Sequence, residues 1–227
     1  MVMISYQKRF VFLKTRKTAG TSFEMMLEPW CAPPGHIVTE AAPELVTRYG
    51  IVGARLNRRK ETPYWRNHIG AKKVAEHLGD AFWTDYLRLT SVRNPFPRSI
   101  SQFYWQRVWQ KLAVPQTFEE TREQFRAYIF SKLFKPDSHV SHVGDRFCID
   151  DAFRLEHLDE DFARIGGKLG IELRREDMPR TKDNSSTKPD LPFLDLFEPD
   201  VVAEICTKQS WVFEHFGYST DPRDAKL

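Results

Sequence analysis

The 227-residue chain holds only three cysteines, Cys31, Cys148 and Cys206. Their number is odd and their spacing fits no metal-ligand pattern. Free thiols in a reducing compartment are therefore expected, rather than a disulfide framework or a zinc site. No stretch approaches the roughly 20 apolar residues that a membrane-crossing helix needs. No signal peptide is expected either, because strand-forming residues begin almost at Met1. Neither sign of charge prevails: 34 Lys and Arg stand against 31 Asp and Glu, for a net +3. That balance argues against a nucleic-acid-binding tail but leaves room for local basic clusters. Internal repeats, low-complexity tracts, an acidic metal-binding motif and the GxxxxGK[ST] loop are all missing.

What is present points to a folded protein. Seventeen Phe and six Trp exclude a disordered chain. The length suits one large domain, or one domain with an appended lobe, with a substantial core.

The most informative stretch is Arg9–Leu27, RFVFLKTRKTAGTSFEMML. Phe10–Leu13 is an apolar run of strand formers. Thr15–Ser22 then supplies small polar side chains, the cations Arg16 and Lys17, and Gly20. Phe23, Met25, Met26 and Leu27 resume an apolar pattern suited to a short buried helix. A tight loop of this kind aims backbone N–H groups, and the positive end of the helix dipole, at one point. Lys17, Thr18, Thr21 and Ser22 add charged and hydroxyl donors, a combination suited to phosphate or sulfate. A plain basic strand–turn–helix connection is the alternative.

The second informative stretch begins with the strand Tyr86–Val92 and runs through Arg93-Asn94-Pro95-Phe96-Pro97-Arg98 into a helix expected from about Arg98 to Leu112. Pro97 suits a first helical turn, and Ile100, Phe103, Tyr104 and Val108 form an apolar stripe. Arg93 at the strand end and Ser101 in the helix are able to face one site at the carboxyl edge of a sheet, where open α/β sheets bind ligands.

Taken in order, Lys-Thr-Ala-Gly-Thr-Ser after a strand, then Arg93 followed eight positions later by Ser101, resembles the sulfotransferases that use 3′-phosphoadenosine 5′-phosphosulfate (PAPS). The likeness is greatest to the carbohydrate-type branch. It implies an α/β fold with a mostly parallel central sheet flanked by helices, like the P-loop kinase-like fold, in a single domain over residues 1–227. It also implies transfer of a sulfuryl group from PAPS to a hydroxyl, with a carbohydrate as the acceptor class and no metal. Arg16, Lys17, Thr18, Ala19, Gly20, Thr21 and Ser22 would form the 5′-phosphosulfate loop, with Lys17 catalytic. Arg93 and Ser101 would hold the 3′-phosphate. Many family members carry proline where Arg16 stands. Eukaryotic members are typically anchored in the Golgi by an N-terminal helix, so the expectation here is a cytoplasmic bacterial relative or a truncated form.

Elsewhere the residues speak less distinctly. Pro33 and Pro34 place a loop at Trp30–Gly35. Pro43–Tyr49 reads as a short helix and Ile51–Ala54 as a short buried strand. Arg55, Arg58, Arg59, Lys60 and Arg66 form a basic cluster, either a solvated loop or a rim attracting an anionic ligand. His68 sits at the start of a helical pattern running from Ala71 to Leu78. The resemblance implies a histidine base in this region, and His68 is the candidate. Thr117–Glu120 is a capping box opening a helix to about Phe134. His139 and His142 follow no metal pattern and read as loop residues, with the acceptor side as one place for them. Ala152–Leu158 reads as a strand, followed by a helix from Asp159 to about Leu169. Arg174–Lys188 reads as a loop. Within it, Asn184-Ser185-Ser186 resembles a segment lying near the nucleotide in the family. Glu198-Pro199-Asp200 opens the last helix. Two other functions stay open: an ATP-dependent kinase, and a non-catalytic binder of anionic polysaccharide suggested by the basic cluster.

Overall fold

The structure is a computed structural model that describes residues 2–55, 64–179, 181 and 191–225. The chain divides into two compact units. One comprises residues 1–92 and 138–181, the other residues 93–137 and 182–227.

The first unit is built on a six-stranded sheet. Its strands are β1 (Val2–Ser5), β2 (Phe10–Leu13), β3 (Leu45–Thr47), β4 (Gly50–Val52), β5 (Leu87–Val92) and β8 (Asp151–Arg154). A short hairpin, β6 (His142–Val143) with β7 (Arg146–Phe147), lies outside it. The spatial order is β3-β4-β1-β2-β5-β8. β2, β5 and β8 run parallel, whereas β1 pairs antiparallel with β2 and β4, and β3 with β4. The expected mostly parallel sheet is thus corrected to a mixed one. β1 returns into β2 through a four-residue turn, too short for the crossover that a parallel pair requires. Pro43–Tyr49, read as helix, contains β3 instead. Leu45, Val46 and Thr47 favour strand once β4 offers an edge, a tertiary override of weak local preference.

The sheet's helices are α1 (Gly20–Leu27), α2 (Ala71–Leu78), α3 (Ala81–Thr84), α6 (Ser138–Ser141) and α7 (Leu158–Leu169). Phe10 and Phe12 of β2 point to the face covered by α1 and α7, because alternate strand residues share a face. There they join Phe23, Phe153 and Phe162 in one core. The Phe23 and Phe153 rings stack with centroids 4.8 Å apart. Each such buried ring contributes about 1.5–3 kcal/mol, so α1 is seated firmly on the sheet.

The second unit is helical: α4 (Pro95–Gln110), α5 (Phe118–Phe130), α8 (Pro199–Lys208) and α9 (Ser210–Phe216). Its core gathers Phe96, Phe103, Phe125, Ile129, Val201 and Ile205. Thr117 and Glu120 form the expected capping box. α4 starts three residues earlier than expected, because Asn94 caps it and Pro95 takes the first helical position. The expected last helix is split at Gln209 into α8 and α9. All three cysteines are free thiols. Burial raises the Cys148 thiol to about 12. Among the described residues no helix is long and apolar enough to cross a membrane.

Candidate functional site

β2 ends at Leu13 and its neighbour β5 at Val92, with Leu13 opposite Thr90 in parallel register. Residues 14–19 therefore leave the carboxyl edge of the sheet and lead into α1 at Gly20. Within this loop Lys17 has φ +61° and Ala19 φ +54°, whereas Thr18 and Gly20 fall outside the left-handed region. Alternation of this kind turns successive N–H groups toward a common concave side, an anion-binding nest. The nest leads into α1, whose N-terminus has no side-chain cap. Ser22 and Phe23 donate to the Ala19 carbonyl at 2.9 and 3.3 Å. Gly20 and Thr21, ahead of them, present N–H groups at the positive end of the helix dipole.

Left-handed lysine and alanine cost about 1–2 kcal/mol each, so something must hold them. The anchor is a ring of hydroxyls. Thr15 Oγ1 donates to the Ser91 carbonyl at 2.5 Å. With its proton committed there, it accepts from Thr18 Oγ1 at 2.9 Å. Thr18 Oγ1 in turn accepts from Ser91 Oγ at 2.8 Å. Thr15, Thr18 and Ser91 are all buried, and a closed chain of donors in low dielectric is strong. The Thr18 hydroxyl is thus turned inward to β5, and Thr18 faces the nest through its backbone.

Beneath the loop lies a residue that periodicity did not single out. Lys14 is buried, and its Nζ donates to Thr21 Oγ1 at 3.0 Å and to Glu24 Oε2 at 2.9 Å. Gly20 is required by this packing: a Cβ there would come within 2.6 Å of Lys14 Cγ. Thr21 accepts from Lys14, so its own proton stays available. Ser22 Oγ meets Thr181 Oγ1 at 3.1 Å. Arg16 and Lys17 are half-buried at the turn.

His68 joins the same cluster. It is half-buried, with φ +54°. Its Nδ1 lies 3.2 Å from the Lys14 carbonyl. A carbonyl only accepts, so Nδ1 carries the proton and Nε2 keeps its lone pair. Burial above all, with the Arg16 and Lys14 charges adding to it, lowers the imidazole to about 2, and the ring is neutral. His139 Nε2 donates to the His68 carbonyl at 3.2 Å. His142 is engaged locally, with Nδ1 2.9 Å from Ser141 Oγ.

Arg93 and Ser101 belong to the second unit, just ahead of α4 and six residues inside it, and both are half-buried. The neighbouring Arg98 is committed to the interior: it is buried against Asp137, at 2.5 Å, and Gln209. Asn184 and Ser185 lie outside the described residues, as do Arg58, Arg59 and Lys60. Arg55 departs from the expected basic rim. Its guanidinium is buried, paired with buried Glu28, and donates to the Thr39 and Glu40 carbonyls. Arg66 is exposed. Among the described residues no group of three or more His, Cys, Asp or Glu is placed to hold a metal ion.

The residues brought together are therefore 16–22 with His68. Lys14, Glu24 and Ser91 were not singled out in the sequence. The one local signal was a charge of each sign set inside otherwise apolar runs, FVFLK and FEMML.

No protein-family model matches the chain, and no curated protein matches it. Among solved structures, a mouse sulfotransferase, SULT7A1, complexed with PAP is similar at 15% identity and a TM-score of 0.47. The alignment covers 94% of this chain and 87% of that one.

Proposed function

We propose that this chain is a sulfotransferase that moves a sulfuryl group from PAPS to a hydroxyl, with a carbohydrate as the acceptor class. The observation that carries the reading is the nest at Lys17–Gly20, set on the KTAGTS sequence at the carboxyl end of β2 and opening onto an uncapped helix. On this reading residues 1–227 act as a single sulfotransferase domain. The backbone donors of residues 17–21 take the 5′-phosphate. Arg93 and Ser101 are assigned to the 3′-phosphate by the family resemblance, as are Asn184 and Ser185 to the nucleotide.

The chemistry follows from charge. His68 Nε2 accepts the acceptor hydroxyl's proton as the hydroxyl oxygen bonds to sulfur. The bond between sulfur and the bridging oxygen breaks, and its electron pair leaves with the phosphate as 3′,5′-adenosine bisphosphate. Lys17 meets the charge that develops on that oxygen, an interaction stronger in the transition state than before it. The cations Arg16 and Lys14 help to keep His68 from taking a proton. An anionic donor in the nest offsets them, so the histidine becomes a better base when the donor is in place.

Incubation with sulfur-labelled PAPS and a panel of hydroxylated saccharides tests this. Label transfer with release of 3′,5′-adenosine bisphosphate is expected. Tight ATP binding, with neither label transfer nor bisphosphate binding, would replace the reading with a kinase.

A further inference from the structure

We propose that Lys14 is a positioning residue that sets the phosphate loop and the histidine base as one unit, acting through its ion pair with Glu24. The inference rests on the sulfotransferase reading for the ligand, and on geometry for the coupling. Three ties converge on this one residue. Its carbonyl accepts from His68 Nδ1 at 3.2 Å. Its Nζ holds Thr21, the second residue of α1, at 3.0 Å, and Glu24, one turn further along, at 2.9 Å. Its stem fills the space that glycine leaves at position 20. Strand end, loop exit and base are thereby referred to one side chain and its own backbone.

Stability alone does not account for the pair. Both members are buried, Lys14 at 7% and Glu24 at 0% exposure. Two apolar side chains of similar volume commonly stabilise such a site as well as an ion pair does. What the ion pair adds is direction. The ammonium has three donors, and fixing two of them on α1 fixes the helix relative to β2. The nest spans that same junction, so its left-handed residues are held open before any anion arrives. Preorganisation of this kind appears in affinity and rate.

The test is the double variant Lys14→Met/Glu24→Met, which removes both charges and keeps the volume. Cooperative melting close to wild type is expected. Amide hydrogen exchange at Lys17–Thr21 in the ligand-free protein should rise. Affinity for 3′,5′-adenosine bisphosphate, read by calorimetry, should fall, and turnover should drop by up to about 10²-fold. Lys14→Arg, which retains the pair, should recover part of the loop protection. A folded double variant with wild-type exchange and wild-type affinity overturns the proposal. If the double variant does not fold, Thr21→Val removes one tie alone, and unchanged loop exchange in it overturns the proposal equally. A wild-type protein that binds no bisphosphate would sink the sulfotransferase reading, while the exchange comparison would still decide the role of Lys14.

Discussion

The chain passes from a parallel strand into a helix twice near its motifs, at β2–α1 and at β5–α4, and these junctions are built in opposite ways. At α1 the approach is left-handed at Lys17 and Ala19, and no side chain caps the helix. At α4 the first four positions have no donor to spare. Pro95 and Pro97 lack an N–H, Phe96 donates to Asn94 Oδ1 at 3.0 Å, and Arg98 donates to the Asn94 carbonyl at 3.1 Å. A helix end thus finished off has nothing left for an anion. Any phosphate recognised after β5 must be held by side chains, the role proposed above for Arg93 and Ser101. Any phosphate recognised after β2 is held first by backbone. Strain marks the junction that is left open, and capping marks the one that is closed.

Mutations sharpen that contrast. The largest effect is expected at the proposed base, tied to the open junction. His68→Ala should cut turnover by about 10²–10⁴-fold with nucleotide affinity nearly intact, read by single-turnover sulfate transfer. Normal turnover would remove His68 from the chemistry.

Lys17→Ala comes next, with about 10²–10³-fold loss of turnover and a smaller change in nucleotide affinity. Lys17→Arg should recover little, since a planar guanidinium does not replace a compact ammonium in a tight turn. Arg16→Ala should lose less than Lys17→Ala. The reverse order would show that the two cations had exchanged roles.

At the closed junction, Arg93→Ala should cost about 1.5–3 kcal/mol in binding 3′,5′-adenosine bisphosphate and far less in binding adenosine 5′-monophosphate. Equal losses in calorimetry would mean that Arg93 does not read the 3′ end. Asn94→Ala should lower stability by about 0.5–2 kcal/mol, seen in denaturant melts, because it removes the cap. A gain in anion affinity after that substitution would break the contrast, showing the cap to be all that closes α4.

The most gradual effect is on pH. The His68 imidazole is lowered in the fold from its ordinary 6.5 to about 2 by burial and the cations beside it. Between those values the unfolded chain binds the proton and the folded one does not, so stability should fall as pH drops below about 6.5. The slope for this one proton is at most about 1.4 kcal/mol per pH unit. Denaturant melts of His68→Gln should lack that part of the acid dependence.

The sequence by itself determined the local features: the strand at Phe10–Leu13, the loop that follows, α1, the capping box at Thr117, and the arginine and serine around α4. Each is written in hydrophobic period and turn chemistry over a few consecutive residues. Only the tertiary structure decided what depends on distant partners. Thr18 is braced by Ser91, 73 positions away, and His68 meets the Lys14 carbonyl across 54 positions. Arg55, grouped by composition with a surface cluster, is buried against Glu28, 27 positions back. Strand direction followed the same rule, since β1 folded back on β2 and made the sheet mixed. A side chain's type and the residues beside it set its local conformation. Whether a hydroxyl faces a ligand or the interior, and whether a cation is solvated or paired, is set by groups that only the fold brings within reach.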